Sequence, residues 1–530
     1  MGDVELPTPA TQPAPGRIAS GDKVRLAELV AALSLGVDLG FGQPMEHVLR
    51  ECTIALRLAE RIGLNGAERS TVYYAALLVN VGCHSDAHEQ AKWFGDDIAL
   101  RSGKYAHEYR SVRAAAATMR LVGSGNPPLH RFRVGLEFAV SGRHDFDGMI
   151  ARHASFARAL ADRLGLSDAV QESVGSAYEQ WDGRGWPVGL AGEEIPIAAR
   201  LTHFAEFVEV SHRIGGISAA IALADKQSGS QFDPALAAML RTEPEAILSD
   251  LDSGQTWEAV IDAEPALRVT VSGDGFDAAL LAIADFVDLK SPYTLGHARA
   301  VAELATATAA RLQMSEDETH VLRQAALVHD LGRLGVSNAI WDKPAPLGVG
   351  EWERVRMYPY LTERMLHQSP ALAPLGEIAV QHRERLNGSG YPRGLSGGAI
   401  SRPARTLAAV DAYQSMRELR PHRPALSEDD AAAELQADVR AGKLDAEAVA
   451  AVLAAAGHDV PRRREWPAGL TNREIDVLRL LARGLSSKQI ASELVITPKT
   501  ARNHIEHIYT KIDASTRVGA SLFATEHGLL

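Results

Sequence analysis

His329 and Asp330 stand side by side at the end of an apolar helical run, ALVHDLG, and His297 lies 32 residues earlier, where another helix begins. Asp411 falls in a later helix. Imidazoles and carboxylates drawn from separate helices of a bundle can converge on one divalent metal, which lowers the pKa of a bound water enough for attack on phosphorus. Taken singly, a helical His or Asp is more often structural or solvated. The set gains weight from the Gly-rich stretch QHRERLNGSGYP that begins at Gln381.

A second constellation, at the C-terminal end, is basic. Thr471 with Glu474 three residues later forms a capping-box pattern before an apolar-periodic run ending near Gly484. Ser486 opens a second helix through Leu494, and Thr497–Pro498 supplies an N-cap followed by proline at the first helical position. A third helix, Pro498 to about Ile512, puts Lys499, Arg502, Asn503, Glu506 and His507 on an outer face while Ala501, Ile505 and Ile508 turn inward. A short helix, a tight turn and a second helix with exposed Arg and Asn are what reading bases in the major groove requires.

The elements that position both sets are helices. Apolar residues recur at three- and four-residue spacing nearly everywhere, Ala and Leu dominate, and no convincing sheet is found, so an all-α fold is expected. Shifting the chain by 250 residues lays HVLRECTIALRLAERIGL from His47 on HARAVAELATATAARLQM from His297, and ALLVNVG from Ala76 on ALVHDLG from Ala326. The Gly-rich loops WDGRGWPVGL, from Trp181, and LNGSGYPRGL, from Leu386, match at a shift of 205, so the first copy carries an insertion of about 45 residues.

The C-terminal segment resembles the LuxR family at Leu470–Thr471, Glu474, Gly484, Ile490–Ala491, Leu494, Ile496, Lys499–Thr500, His504, Lys511 and Arg517. The resemblance implies that Arg502, Asn503 and Glu506 face bases, that Lys499, Thr500 and Lys511 sit near phosphates, and that the last helix, from Ser515, pairs two monomers. Glu506 departs from the usual pattern, since an acid there repels phosphate and suits a cytosine amino group instead.

The second copy resembles the HD-GYP branch of the HD phosphohydrolase family in SPYTLGH, HDLGRLG and GSGYPRGL. Typical members hydrolyse cyclic di-GMP at a two- or three-metal site. The resemblance implies metal-ligand positions at His297, His329, Asp330, His382 and Asp411, with Asp330 and Arg333 in catalytic positions. It also shows departures: Tyr358 and Arg383 stand where the family has ligand histidines, Arg333 replaces a Lys, and Gln414 replaces an Asp. One divalent transition metal, Mn or Fe, is therefore the expected cofactor, and a polynuclear hydrolase is not expected.

In the first copy His47 keeps its slot, but Val79 and Asn80 replace the His-Asp pair, Ala177 and Tyr178 the later pair, and Glu206 the final Asp. Val and Ala cannot bind metal, so this copy reads as degenerate. His84, Asp86 and His88 cluster downstream, and His144–Asp145, in the Gly-flanked stretch SGRHDFDG, reads as a loop.

The formal net charge of -12 is uneven: from Pro461 onward 11 Lys and Arg face 7 Asp and Glu, about +4, leaving about -16 before it. Nucleic acid is expected only at the basic end. Cys52 and Cys83 are the only cysteines, which fits a reducing compartment and two small buried residues. The N-terminus is Pro-rich and acidic where a signal peptide would be basic and then apolar, and AEAVAAVLAAAG near Ala446 falls short of the roughly 20 apolar residues of a membrane span. The expected organisation is a leader at 1–20, a degenerate HD-GYP-like domain at 21–242, a linker at 243–275, a second such domain with a partial metal site at 276–458, a linker at 459–466 and a four-helix LuxR-type domain at 467–530. The expectation is a cytoplasmic, dimeric transcription regulator that binds double-stranded DNA and takes a nucleotide or cyclic dinucleotide effector, with no membrane partner. The alternative is a metal-dependent phosphodiesterase carrying a DNA-binding output domain.

Overall fold

The structure, a computed structural model, describes residues 23–105, 119–124, 127–138, 143–251, 256–265, 269–457, 466–494 and 496–530. The expected leader at 1–20 and most of the expected linker at 459–466 lie outside them. The fold is all-α, as the periodicity predicts. Among the described residues the only strands are the two-residue pair Val24–Arg25 and Thr270–Val271, antiparallel with Val24 opposite Val271.

The repeat seen in the sequence is a repeat of structure. Helix Leu26–Gly40 and helix Asp274–Asp288 carry Asp38 and Asp288 in their last turns, and these carboxylates accept the backbone N–H of Val48 (3.1 Å) and Ala298 (2.8 Å) at the starts of helices His47–Arg61 and His297–Arg311. Capping boxes at Asn65/Glu68 and Ser315/Glu318 then open Gly66–Leu78 and Glu316–Val328. Each of these runs into a 3-10 turn crossed by a long helix, Arg143–Arg163 in the first copy and Val349–Leu366 in the second. The crossings demand glycine: a Cβ at Gly82 would lie 2.1 Å from the His153 carbonyl oxygen, and one at Gly332 would lie 2.0 Å from that of Tyr358. In both Gly-rich loops a buried glutamate holds the backbone, Glu179 accepting from Val188 and Gly189, and Glu384 from Arg393 and Leu395.

Two sequence expectations need correction. His144–Asp145 lies within helix Arg143–Arg163 rather than in a loop, because this helix is the counterpart of Val349–Leu366 and must cross the Val81–Asp86 turn. The stretch 243–275 is not a bare linker. It folds into Pro244–Leu248 and Thr256–Asp262, which pack on His47–Arg61 because Ile247, Leu248, Trp257, Val260 and Ile261 bury there.

Helix Ile197–Gln227 is long and apolar enough to cross a membrane by length and composition. Gly216, at φ 71°, breaks it, and its first half buries His203, Glu206 and Glu209 in the first copy.

The insertion in the first copy makes buried polar contacts with the second. Asp97, fully buried, accepts from Ser337 Oγ (2.7 Å) and the Asn338 N–H (2.8 Å), with Lys290 Nζ at 3.5 Å. His88 Nδ1 pairs with Asp342 Oδ2 at 2.8 Å. Burial by itself disfavours the charged ring, but the Asp342 carboxylate, helped by Glu89, raises the His88 pKa above its ordinary value. A raised folded pKa means this contribution is complete below the unfolded value of about 6.5 and is lost as pH climbs through the folded value. The thermal midpoint should therefore fall from pH 6 to pH 8.5, and His88→Phe should flatten that slope in a melting series. An unchanged slope would place the dependence elsewhere.

Candidate metal centre and DNA-reading helix

His297 is the first residue of its helix, and His329 and Asp330 follow the last turn of Glu316–Val328. His382 follows Ala373–Ala379, and Asp411 sits mid-helix in Arg402–Arg417. Four helices thus deliver five side chains to one fully buried place. His297 Nε2 lies 3.3 Å from Asp411 Oδ1 and 3.8 Å from Asp330 Oδ2, and His329 Nε2 lies 3.6 Å from Asp330 Oδ1 and 3.8 Å from Asp411 Oδ1. Ligand atoms of His297, His329 and Asp411 lie within 4.8 Å of one another, as do those of His329, Asp330 and His382.

Backbone and carboxylate partners fix the rings. His329 Nδ1 donates to the Ala326 carbonyl (2.7 Å) and His382 Nδ1 to that of Ala379 (2.5 Å), while His297 Nδ1 faces Glu418 Oε2 at 2.9 Å. That leaves His297 Nε2, His329 Nε2 and Asp330 Oδ1 buried with no hydrogen-bond partner, while Asp411 Oδ2 has only the Arg383 guanidinium as an ion-pair neighbour. Orphaned polar atoms are costly, and a cation is a group that these three atoms, with the Asp411 carboxylate, fit. The donor set, two imidazoles and two carboxylates, suits a divalent transition metal. The charges are polarised in the same sense. Burial opposes ionisation of Asp330 and Asp411, but His329 and Arg333 hold Asp330 below the usual carboxylate range, and Arg383 does the same for Asp411. His297 runs the other way: burial opposes a charged ring, yet Glu418 and Asp411 push its pKa up to about 10, so a metal at Nε2 would have to displace a proton that these carboxylates favour.

His382 is brought to the site but is otherwise engaged. Burial pushes its pKa down to about 3, so the ring is neutral, and its Nε2 takes a hydrogen bond from the Tyr358 hydroxyl at 2.6 Å. Arg383 Nε donates to that hydroxyl (2.7 Å), and Arg383 NH1 lies 3.1 Å from Asp411 Oδ2. Arg333 NH1 pairs with Asp330 Oδ2 at 3.2 Å, and its guanidinium lies 3.9 Å above the Trp341 ring. Arg333, Arg383 and Tyr358, which surround the site, also line a cavity of about 610 Å³ whose walls include Arg420, Trp341, Trp352 and Tyr391.

The first copy answers the same burial problem differently. Glu206, in the slot of Asp411, accepts from Lys104 Nζ (2.6 Å), Asn80 Nδ2 (2.7 Å) and the Tyr105 hydroxyl (2.8 Å). Although burial works against it, Lys104 lowers the Glu206 pKa to about 2. His47 Nδ1 faces Glu209 Oε2 at 2.5 Å. His153, which the sequence reading missed, occupies the slot of Tyr358 and lies 2.9 Å from Asp86 Oδ2. The 205-residue shift, extended to Tyr358, would have found it. Lys104 comes from the insertion and Glu418 lies beyond the motifs, so no repeat or motif signals either.

At the C-terminus the helices are Asn472–Ala482, Ser487–Glu493, Pro498–Lys511 and Arg517–Glu526, with N-caps Thr471, Ser486, Thr497 and Thr516. Lys499, Arg502, Asn503 and Glu506 are exposed on the third helix while Ala501 and Ile508 are buried. Thr500 Oγ1 bonds Thr497 Oγ1 (2.8 Å), and Lys511 Nζ is drawn to Glu474 Oε2 (2.7 Å). Arg517 holds the C-terminal turn of the first helix through the Gly484 (2.7 Å) and Leu485 (2.8 Å) carbonyls.

The HD domain family matches residues 145–236 and 282–448, and the luxR family of bacterial regulatory proteins matches 468–524. The chain is 30% identical over 436 residues to the 3'3'-cGAMP-specific phosphodiesterase 3 of Vibrio cholerae, covering 81% of this chain and 94% of that protein. The chain belongs to the HD-domain family. The HD-domain protein is also 34% identical over 165 residues to the 3'3'-cGAMP-specific phosphodiesterase 1 of the same organism, over 31% of this chain and 38% of that one. A crystal structure of a cyclic GMP-AMP specific phosphodiesterase of V. cholerae is similar to it with a TM-score of 0.57 at 27% identity, covering 82% of this chain and 98% of that one. The tandem HD copies, the first degenerate, therefore precede a LuxR-type helix-turn-helix.

Removing the Lys104 ammonium leaves Glu206 buried and uncompensated. Lys104→Met should cost on the order of 3–5 kcal/mol in denaturant unfolding. Adding Glu206→Gln should recover most of that loss, and additive losses in the double variant would show that the two groups do not compensate each other.

Proposed function

We propose that this HD-domain protein is a DNA-binding regulator whose second copy binds one divalent metal and hydrolyses a cyclic dinucleotide. The observation that carries this reading is the buried cluster of His297, His329, Asp330 and Asp411, three of whose ligand atoms have no hydrogen-bond partner, next to a cavity that shares Arg333, Arg383 and Tyr358 with its surroundings, in a chain that also presents a basic recognition helix. Guanidinium groups match phosphate oxygens in pairs, and Trp and Tyr faces stack bases. A cavity of about 610 Å³ is of the size that encloses a small ligand. The V. cholerae relative named for 3'3'-cGAMP supports that compound as the substrate to test first.

His297, His329, Asp330 and Asp411 would hold the metal, which when bound supplies a water of lowered pKa and a Lewis acid at the phosphoryl oxygen. Water attacks phosphorus, the P–O bond to a ribose 3' oxygen breaks, and that oxygen leaves as a hydroxyl with a proton gained from solvent, giving a linear dinucleotide. Glu418 orients the His297 ring, Arg333 fixes the Asp330 carboxylate, and Arg420 of the cavity wall would hold the second phosphate so that the scissile one is aligned. The third helix of the C-terminal domain would enter the major groove with Arg502, Asn503 and Glu506 toward bases and Lys499 and Thr500 toward phosphates, Lys511 reaching phosphate only by leaving Glu474.

Metal analysis of the purified wild-type chain should find one divalent transition metal, and incubation with 3'3'-cGAMP should yield a linear product. His329→Ala and Asp330→Ala should lose both while still binding DNA. A metal-free, inactive wild-type protein would end the hydrolase reading. Conversely, Arg502→Ala should weaken DNA binding by about 1–3 kcal/mol in a titration and leave metal content intact. Equal affinity of wild type and variant would remove the third helix from base reading.

A further inference from the structure

The two overlapping groups of ligand atoms in the second copy share His329 but are not equivalent. The group of His297, His329 and Asp411 has its inward nitrogens unpartnered. The group of His329, Asp330 and His382 is closed at one corner by a chain of donors: Arg383 Nε donates to the Tyr358 hydroxyl, and that hydroxyl donates to His382 Nε2. The lone pair that His382 would offer a metal is thereby consumed. A permanent positive charge arrives at the same spot, with Arg383 NH1 3.1 Å from Asp411 Oδ2 and the guanidinium facing the cavity. A guanidinium remains charged at any physiological pH.

We propose that Arg383, braced by Tyr358, stands in for a second cation: the site takes one metal per chain, and Arg383 contacts a non-bridging oxygen of the phosphate under attack, offsetting the charge that builds there. The first copy makes the same exchange with a different side chain, since Glu206, which fills the slot of Asp411, is met by the Lys104 ammonium at 2.6 Å. In each copy a tethered organic cation thus answers the carboxylate of the same helix position. This inference rests on the metal-dependent reading of the second copy.

The test is metal stoichiometry by elemental analysis. Wild type should hold one metal per chain, and Tyr358→His with Arg383→His should hold two. A wild-type value of two overturns the inference while leaving the metal reading in place, and a value of zero overturns the metal reading itself. A folded double variant that stays at one also overturns the inference. Should the double variant not fold, Arg383→Ala decides: it should keep one metal, lose on the order of 100-fold in kcat on 3'3'-cGAMP with little change in KM, and regain turnover when free guanidinium is added. Undiminished kcat, or a loss that guanidinium does not repair, would refute the role.

Discussion

A carboxylate that stays ionised out of reach of water must be met by a cation or by enough hydrogen-bond donors, and both HD copies are arranged around that constraint. Asp411 and Glu206 are each at zero exposure in the equivalent turn of the equivalent helix. Around Asp411 the neighbours are two imidazoles, a second carboxylate and a guanidinium, with His297 Nε2, His329 Nε2 and Asp330 Oδ1 left without hydrogen-bond partners. Around Glu206 they are an ammonium, an amide and a phenol, which satisfy one carboxylate oxygen with no ion required. Losing His329 and Asp330 to Val79 and Asn80 is therefore a change of counter-charge as well as of ligands. The insertion that supplies Lys104 gives the first copy its own counter-charge for Glu206.

That insertion does a second job. Its helix Asp97–Ser102 places Asp97 among Lys290, Ser337 and Asn338, and its helix Ala87–Phe94 places His88 against Asp342. Helix Leu26–Gly40 is buried on nearly every side because it packs on Leu331–Gly335 and Val349–Leu366 of the second copy as well as on its own bundle. The wall of the second copy is in this way built partly by the first. A degenerate copy that merely filled space would not need buried ion pairs of this kind, whose desolvation is repaid only when every partner is in place.

Much of this was legible in the sequence because it repeats or follows a helical period. The 250- and 205-residue shifts anticipate paired elements down to single side chains, and the capping residues at Thr471, Ser486 and Thr497 sit where their types predict. The illegible parts are those without a counterpart. Lys104 comes from the inserted chain, where no alignment of the two copies reaches. Helix Arg143–Arg163 begins in a polar, Gly-flanked stretch whose composition suggests a loop, and only its crossing of the Val81–Asp86 turn makes it a helix. The engagement of His382 by Tyr358 depends on which ring nitrogen the Ala379 carbonyl takes, a tertiary choice that motif spacing does not encode.

The turn from Ser291 to Gly296 is where the parts of the molecule meet. Ser291 Oγ donates to Asp342 (2.6 Å), the same residue that His88 of the first copy holds. Gly296, left-handed at φ 75°, starts the helix whose first residue is His297. A methyl group added at Gly296 would lie 3.0 Å from Leu530 Cβ, and one at Gly484 would lie 3.4 Å from Pro292 Cβ, so the same turn touches the end and the first interhelical turn of the LuxR-type domain. A close-packed contact does not absorb displacement smoothly. Any movement of His297 toward a bound cation must pass through a six-residue turn already pinned by the first copy on one side and the DNA-binding domain on the other. The helix that begins at His297 and the LuxR-type domain consequently share one short stretch of backbone, which is the physical basis for treating the proposed hydrolysis and the proposed DNA binding as parts of one device.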